Sequence, residues 1–404
     1  VRYPSEAVQS VLERTLGVPI FQEQVMQLAM VAAGFTAGEA DELRRSMAAW
    51  RRKGGLSRFE HKLKKGMTDR GYDQEFADAI YRQICGFGEY GFPESHAASF
   101  AILVYVSAWL KCHYPAAFLC ALLNSQPMGF YAPSQLIQDA RRHGVSVLPV
   151  DVTASQWESE LEALHGESAT PGARLGLCLV QGLDHAAVER LIQARQEQAF
   201  RCTEDLARRA KLGPQALGRL AAAGALGSLA GNRRRAHWQA AGSGYQPGLL
   251  ADGGPREPCV DFPSPSVKDD VLADYGSLGF TLGAHPLALL RHQLQSMRLI
   301  PAAAIADSQD RCLARTAGLV TCRQRPGTAT GVVFVTLEDE TGVSNVIVHH
   351  TLVERQRREL LNARLLGVYG QIQRAGPVVH LVAMRLIDYS ALLGGLATRS
   401  RDFH

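Results

Sequence analysis

The sequence predicts a multidomain α+β chain, mainly helical over most of its length and ending in a small β-barrel. Three observations carry this reading. Apolar residues recur at helical spacing through residues 4–240, a Gly- and Pro-rich stretch over 241–266 interrupts them, and beyond about residue 310 the apolar period drops to two. At 404 residues the chain also exceeds one ordinary domain.

Helices come first. PSEAVQSVLERTLG opens on Pro4 and Ser5 and stops at Gly17, the start and stop signals of a helix. In QEQVMQLAMVAAGF, Val25, Leu28, Ala29 and Ala32 fall on one stripe. EADELRRSMAAWRRK reads as another helix, broken by Gly54 and Gly55, and residues 73–86 as the next. GFGEYGFPESHA reads as a Gly-rich turn, and the apolar run AASFAILVYVSAWLKCHYPAAFLCALLNS behind it as a buried helix interrupted at Pro115. Lys111 and His113 in its middle exclude a membrane span. A helical domain over 1–130 is therefore expected. An α/β connector follows over 131–240, with short strands near 145–150 and 174–180 and two helical hairpins, LCLVQGLDHAAVERLIQARQ and CTEDLARRAKLGPQALGRLAAAGAL. The linker 241–266 and helices over 267–305 lead to the barrel over 306–392 and a tail over 393–404.

In the barrel, ARTAGLVTCRQ, TGVVFVTLEDETG, VSNVIVHH, ARLLGVYGQIQR and PVVHLVAMRLID alternate as strands do, and TLVERQRRELL interrupts them after the third. Five strands with a helix between the third and fourth is the layout of an OB-fold, a barrel that binds oligonucleotides, although generic interaction modules use the same architecture.

Composition removes several classes. Hydrophobic residues make up 46% and charged residues 20%, as in a soluble globular protein. VRYPSEAVQS lacks the basic and apolar regions of a signal peptide, and the missing initiator Met leads us to expect a fragment of a longer chain. The eight cysteines include no C-x-x-C pair, so scattered thiols in a reducing cytoplasm are expected and a zinc site is not.

A net charge of +4 is uninformative, but residues 44–70 hold ten Lys or Arg against two acids, a local balance of +8. Such a run, including Arg51, Arg52 and Lys53, is either a solvated helix face or a polyanion contact. Arg44 and Arg45 lie on its first helix, and guanidinium forks match phosphate oxygens. In the first hairpin Gly182 marks a tight turn whose following helix N-terminus can take a DNA phosphate; Lys211, Leu212 and Gly213 mark the corresponding turn of the second, the weaker signal by itself. His96 after Ser95 is either a structural hydrogen-bonder or a ligand contact. Asp269-Asp270 and Glu338-Asp339-Glu340 read as solvated acids, and no phosphate loop or carboxylate cluster fit for two-metal phosphoryl transfer is evident, so no metal is assigned to this chain and no catalytic residue named. On the barrel, Phe334, Tyr369 and His380 are sparse candidates for base stacking and Arg323, Arg325 and Arg374 for backbone contacts.

Several of these segments together resemble the bacterial C-family DNA polymerases, the group of the polymerase III alpha subunit: GVPIFQEQVMQLAMVAAGFTAGEADELRRSM, then GFGEYGFPESHAASFAILVYVSAWLKCHYPAAFLCALLNSQPMGFY, then the hairpins and QRPGTATGVVFVTLEDETGVSNVIV. Replicative members usually carry Lys before the Ser-His pair. Glu94 there, with QRPGTATG, resembles the error-prone ImuC-type branch that works in damage-induced mutagenesis. The resemblance implies that 1–130 are fingers, that Arg44, Arg45, Ser95 and His96 border the triphosphate of the incoming deoxynucleotide, and that the hairpins grip primer-template duplex while the barrel meets template single strand or docks mutagenesis accessory proteins. It implies a palm whose aspartates hold Mg²⁺, lying before Val1. It also implies that Glu94 repels the triphosphate unless it faces away, and that Gln246, Leu249 and Leu250 of the linker stand where relatives carry a sliding-clamp motif. The alternatives are a stand-alone nucleic-acid-binding accessory protein and a protein-docking adaptor. No membrane contact is expected.

Overall fold

Ser5 stands just ahead of the first helix, α1 (Glu6–Leu12), and its Oγ accepts the Val8 N–H at 3.2 Å, the cap that the Pro4-Ser5 signal predicts. The computed structural model describes residues 1–48, 57–86, 93–129, 131–164, 170–243, 262–326, 331–396, 398 and 400–403. The chain divides into two units, Val1–His113 and Tyr114–His404.

In the first unit α1, α3 (Ala37–Ala48) and α4 (Ser57–Thr68) pack on α2 (Gln22–Ala33), and α5 (Gln74–Gly86) packs on α4. The predicted stripe of Val25, Leu28, Ala29 and Ala32 is buried, together with Leu43, Leu63, Met67 and Ile80. Gln24 is the polar centre of this core. Its Nε2 donates to Val11 O at 2.9 Å and Thr15 Oγ1 at 2.8 Å, while its Oε1 accepts the Ile20 and Phe21 N–H groups at 3.0 and 3.2 Å. The buried amide is thereby satisfied and ties α1 to α2. A Cβ on Gly66 would lie 2.2 Å from Ala33 O, so α4 crosses α2 at a separation that requires glycine.

The apolar run is interrupted at Pro115 as expected, into two helices, α6 (Glu94–His113) and α7 (Pro115–Asn124), with Pro115 at the first position of α7, but its burial departs from expectation. α7 buries Ala116, Leu119, Cys120 and Leu123, but no residue of α6 is buried and Ile102, Val104 and Tyr105 are each more than 60% exposed. Apolar composition around the whole circumference says that a helix favours cover, not that its own unit supplies it.

In the second unit α7 and α8 (Pro133–Arg142) lie against a small sheet of order β1-β3-β2, with β1 (Val147–Leu148), β2 (Glu160–Glu162) and β3 (Gly172–Arg174). The strand expected over 174–180 ends at Arg174, because Leu177–Leu179 coil into a single 3₁₀ turn. The same core continues through α9 (His185–Glu197), α10 (Thr203–Arg209), α11 (Pro214–Ala222), α12 (Gly227–Ala230) and α13 (Arg233–Gly242). Beyond the undescribed part of the linker, α14 (Val267–Ser277) and α15 (Pro286–Ser296) pack on the barrel, with α16 (Ala302–Ala306) closing one end.

The barrel strands are β4 (Leu313–Gln324), β5 (Val333–Asp339), β6 (Gly342–Val348), β7 (Leu365–Ala375) and β8 (Val378–Asp388), with α17 (His350–Arg355) and α18 (Arg357–Asn362) between the third and fourth. They follow the predicted segments closely, and the β4–β5 pairing closes the order β5-β6-β8-β7-β4 into a barrel. Beyond Leu319, β4 leaves β7, and a terminal strand β9 (Arg401–Phe403) pairs with its freed edge at Cys322–Gln324.

The acids of the β5–β6 turn are not solvated, contrary to their reading from sequence. Glu338 and Asp339 are each 4% exposed. Glu338 Oε1 accepts from Gln138 Nε2 of α8 at 2.8 Å and lies 3.3 Å from His285 Nε2. Asp339 accepts from Arg291 Nη2 of α15 at 3.0 Å and from the Ala302 N–H that opens α16 at 2.8 Å; Arg291 also reaches Glu340 Oε2 at 2.9 Å. Asp269 likewise caps α14 at Ser266 and meets Arg234, and Asp270 pairs with Arg233 at 2.6 Å. Removing one partner of the buried pair strands the other charge in low dielectric. Arg291→Ala should therefore cost about 3 kcal/mol, read by denaturant unfolding of the whole chain; a loss under about 1 kcal/mol would show the corner to be effectively solvated.

Candidate nucleic-acid and nucleotide interface

On α3 the single carboxylate of Asp41 serves both expected phosphate ligands. Arg44 donates to Asp41 Oδ1 through Nε and Nη2, at 3.0 and 2.8 Å, and Arg45 Nη2 lies 2.8 Å from Oδ2. Arg44, hydrogen-bonded first, and then Arg45 hold the Asp41 carboxyl below its ordinary range. Two guanidiniums against one carboxylate leave one unit of positive charge on a face where Arg45 is 68% exposed. Guanidinium forks of this kind match carboxylate and phosphate oxygens alike.

Much of the +8 segment is otherwise spent within the unit. Arg58 pairs with Glu42 at 2.7 Å and Lys62 with Glu39, whose carboxyl Lys62 and then the Thr36 N–H pull down to about 2. Lys64 bridges Glu60 and Asp78 at 2.7 and 2.8 Å, and Arg70 caps the Ala33 and Gly66 carbonyls at 3.3 Å. Such exposed pairs stabilise little, but they lower the local field from its formal value. Arg51, Arg52 and Lys53 lie outside the described residues.

Ser95 and His96 are not in a turn. They sit exposed in the first turn of α6, with the His96 ring edge-on to Phe100 at 4.5 Å. Glu94, just before them, forks onto Arg14: its Oε2 accepts from Nη2 at 2.6 Å and its Oε1 from Nη1. Arg14 thereby holds the Glu94 carboxyl below its ordinary range.

The two hairpins exchange rank. In the first, a 3₁₀ turn stands in place of a leading helix and Gly182 takes φ +69°, as a tight turn requires. A Cβ on Gly182 would fall 2.1 Å from Arg219 Nη1, which donates to Gln181 O at 2.7 Å. The glycine thus makes room for a structural arginine of α11. Asp184 then caps α9, accepting the Ala187 N–H at 3.2 Å, so a carboxylate already occupies the helix end where an anion would sit. The second hairpin is open. Lys211 takes the left-handed conformation, φ +52°, and is exposed; Leu212 is buried; Gly213 starts α11 with no side-chain cap, ahead of Pro214. The first turn of α11 is therefore left without a side-chain cap, the kind of helix start that can take a phosphate. Arg219 was missed in the sequence, where a helical Arg reads as a surface charge.

On the barrel Arg323 leaves the set of DNA contacts. It is 6% exposed and donates through Nε to Leu360 O at 2.6 Å, through Nη2 to Ala363 O at 2.5 Å and through Nη1 to Ser400 Oγ at 2.5 Å, with Asp402 at 3.3 Å. The β-bulge between Val320 and Cys322 resets strand alternation and turns it inward. Arg374 is likewise occupied by the Ala306 and Ser308 carbonyls. Arg325 remains exposed beside a hollow with Val333, Arg357 and Leu361. Phe334 is 36% exposed, the Tyr369 ring carries Arg315 at 5.1 Å and its Oη meets Tyr389 Oη at 3.3 Å, while His380 is partly buried. Gln246, Leu249 and Leu250 lie outside the described residues. Among the described residues no three His, Cys, Asp or Glu side chains converge as a metal would require, and no helix is long and apolar enough to cross a membrane.

Residues 1–71 match the family described as the bacterial DNA polymerase III alpha subunit finger domain, and residues 144–236 match the helix-hairpin-helix motif. The chain is 62% identical over 406 aligned residues to the error-prone DNA polymerase of Azoarcus sp. (strain BH72) and 64% identical over 398 to that of Aromatoleum aromaticum, covering 100% and 98% of this chain. It spans only 38% and 37% of those relatives. Among solved structures, asparaginyl-tRNA synthetase from Pyrococcus horikoshii overlaps 22% of this chain and 23% of its own at 20% identity and a TM-score of 0.20, too low to bear on fold or function. Over its whole length, then, this chain is a relative of a stretch of the error-prone DNA polymerases, one that carries polymerase III alpha finger-domain sequence and a helix-hairpin-helix motif.

Proposed function

We propose that this chain is the nucleotide- and DNA-handling part of an error-prone, DNA-directed DNA polymerase of the ImuC-type branch, acting in translesion synthesis in the cytoplasm. The observation that carries this is 62% identity to an error-prone DNA polymerase sustained over the full chain, with finger-domain sequence at residues 1–71. In this reading Arg44, Arg45, Ser95 and His96 border the incoming triphosphate, the Lys211–Gly213 turn holds a phosphate of the primer-template duplex, and the five-stranded barrel is an OB-fold that meets single-stranded template or accessory proteins. Leu249 and Leu250 serve a sliding clamp. In this reading the Mg²⁺-dependent step is carried by the aspartates of a palm outside this chain.

Nucleotide addition then divides by role. The chain's cations compensate triphosphate and backbone charge, and its hairpin fixes the duplex without reading sequence. Lys211→Ala should weaken duplex primer-template binding by about threefold to tenfold and flatten the slope of log K against log salt by about one, measured by fluorescence anisotropy from low to moderate salt. DNA binding that is absent, or indifferent to salt, would favour a protein-docking adaptor. A second test is primer extension with Mg²⁺ by this chain alone, where bound but unextended primer is expected; addition of even one nucleotide would place the catalytic acids inside the chain.

A further inference from the structure

No residue of α6 is buried, so burial does not fix where its first turn sits. Polar ties act there instead, and they converge on Glu94. Its carboxylate takes both Nη groups of Arg14, and its backbone N–H donates to Glu23 Oε2 at 2.9 Å. Arg14 lies in the 3₁₀ turn Glu13–Thr15 that follows α1, with its guanidinium 5.7 Å from the Phe21 ring centre, and Glu23 lies in the first turn of α2. Both anchors flank the buried Gln24 amide that ties Thr15 and Phe21 together. One residue is thus held at its side chain and its backbone by two points beside the core of its unit, 80 and 71 positions away in the chain.

From this we infer that Glu94 is a positioning residue: its fork onto Arg14 and its N–H to Glu23 set the start of α6, and so fix where Ser95 and His96 meet the incoming nucleotide. The inference rests on the reading above that Ser95 and His96 border the triphosphate. It replaces repulsion as the role of the acid at this position, because a carboxylate already matched by a guanidinium projects little negative field. A lysine there would face Arg14 and push the turn outward.

The sign of one substitution separates the two roles. In the full-length polymerase, Glu94→Lys and Arg14→Glu should each raise the KM for the incoming deoxynucleotide by about threefold to fivefold, the scale of a well-aligned exposed pair, while Kd for primer-template and the melting temperature stay put. The double variant Arg14→Glu/Glu94→Arg restores the pair in reverse and should return KM to within about twofold of the parent. Electrostatic repulsion predicts instead that Glu94→Lys lowers KM, and that result, or an unchanged KM, would overturn the inference. His96→Ala is the control for the underlying reading. If it raises KM while Glu94→Lys does not, positioning fails and the nucleotide reading stands; if neither moves KM, the nucleotide reading falls and takes this inference with it.

Discussion

The second unit is organised around a buried carboxylate corner. The turn after β5 drives Asp339 into the junction of barrel and helices, where it accepts from Thr341, Gly342, Ala302 and Arg291 at once. A carboxylate out of water is tolerable only when its lone pairs are filled, and here five donor atoms from three chain segments fill them. The requirement is what makes the corner directive. Arg291 brings α15 onto the barrel wall, the Ala302 N–H starts α16 across its end, and Gln138 and His285 bind neighbouring Glu338 and draw α8 to the same place. Apolar packing of Leu287 and Leu294 against Leu319 and Leu365 supplies area without direction; the charges supply register.

That corner also marks the limit of what sequence discloses. The five barrel strands and the helical piece between them were legible because each strand alternates and is bounded by turn residues, a signal contained in about ten consecutive residues. The stripe on α2 was legible for the same reason. Glu338 and Asp339 were not, since their partners outside this turn lie 37 to 200 positions away and nothing local distinguishes a paired acid from a solvated one. Arg323 fails similarly: one bulge turns a strand residue from solvent to core, and bulges have weak sequence signatures. For α6 the helix was legible from its apolar run, but composition could not report that its own unit leaves it uncovered.

Charge shows the same division. A count of ten cations in residues 44–70 is correct arithmetic, yet Asp41 meets two of them along its own helix, and Glu39, Glu42 and Asp78, all outside that window, meet others through helix packing. What survives is a smaller surplus at Arg44 and Arg45, two guanidiniums on the one carboxylate of Asp41. A fully free cluster would repel itself and hold nothing in register.

The hairpins carry this argument furthest, because they differ at one kind of position. Where a backbone-binding turn would leave its helix end bare, the first places Asp184 and closes the end with its own carboxylate, while Gly182 admits Arg219 from α11. Where the second turns, Gly213 offers no side chain, Pro214 has no N–H to strand, and Lys211 stands exposed in a left-handed conformation. The first hairpin is therefore spent on fixing the second, by an arginine that crosses from one to the other. Tandem motifs of this kind need not be two copies of one surface: one member can serve as the structural base on which the other is held.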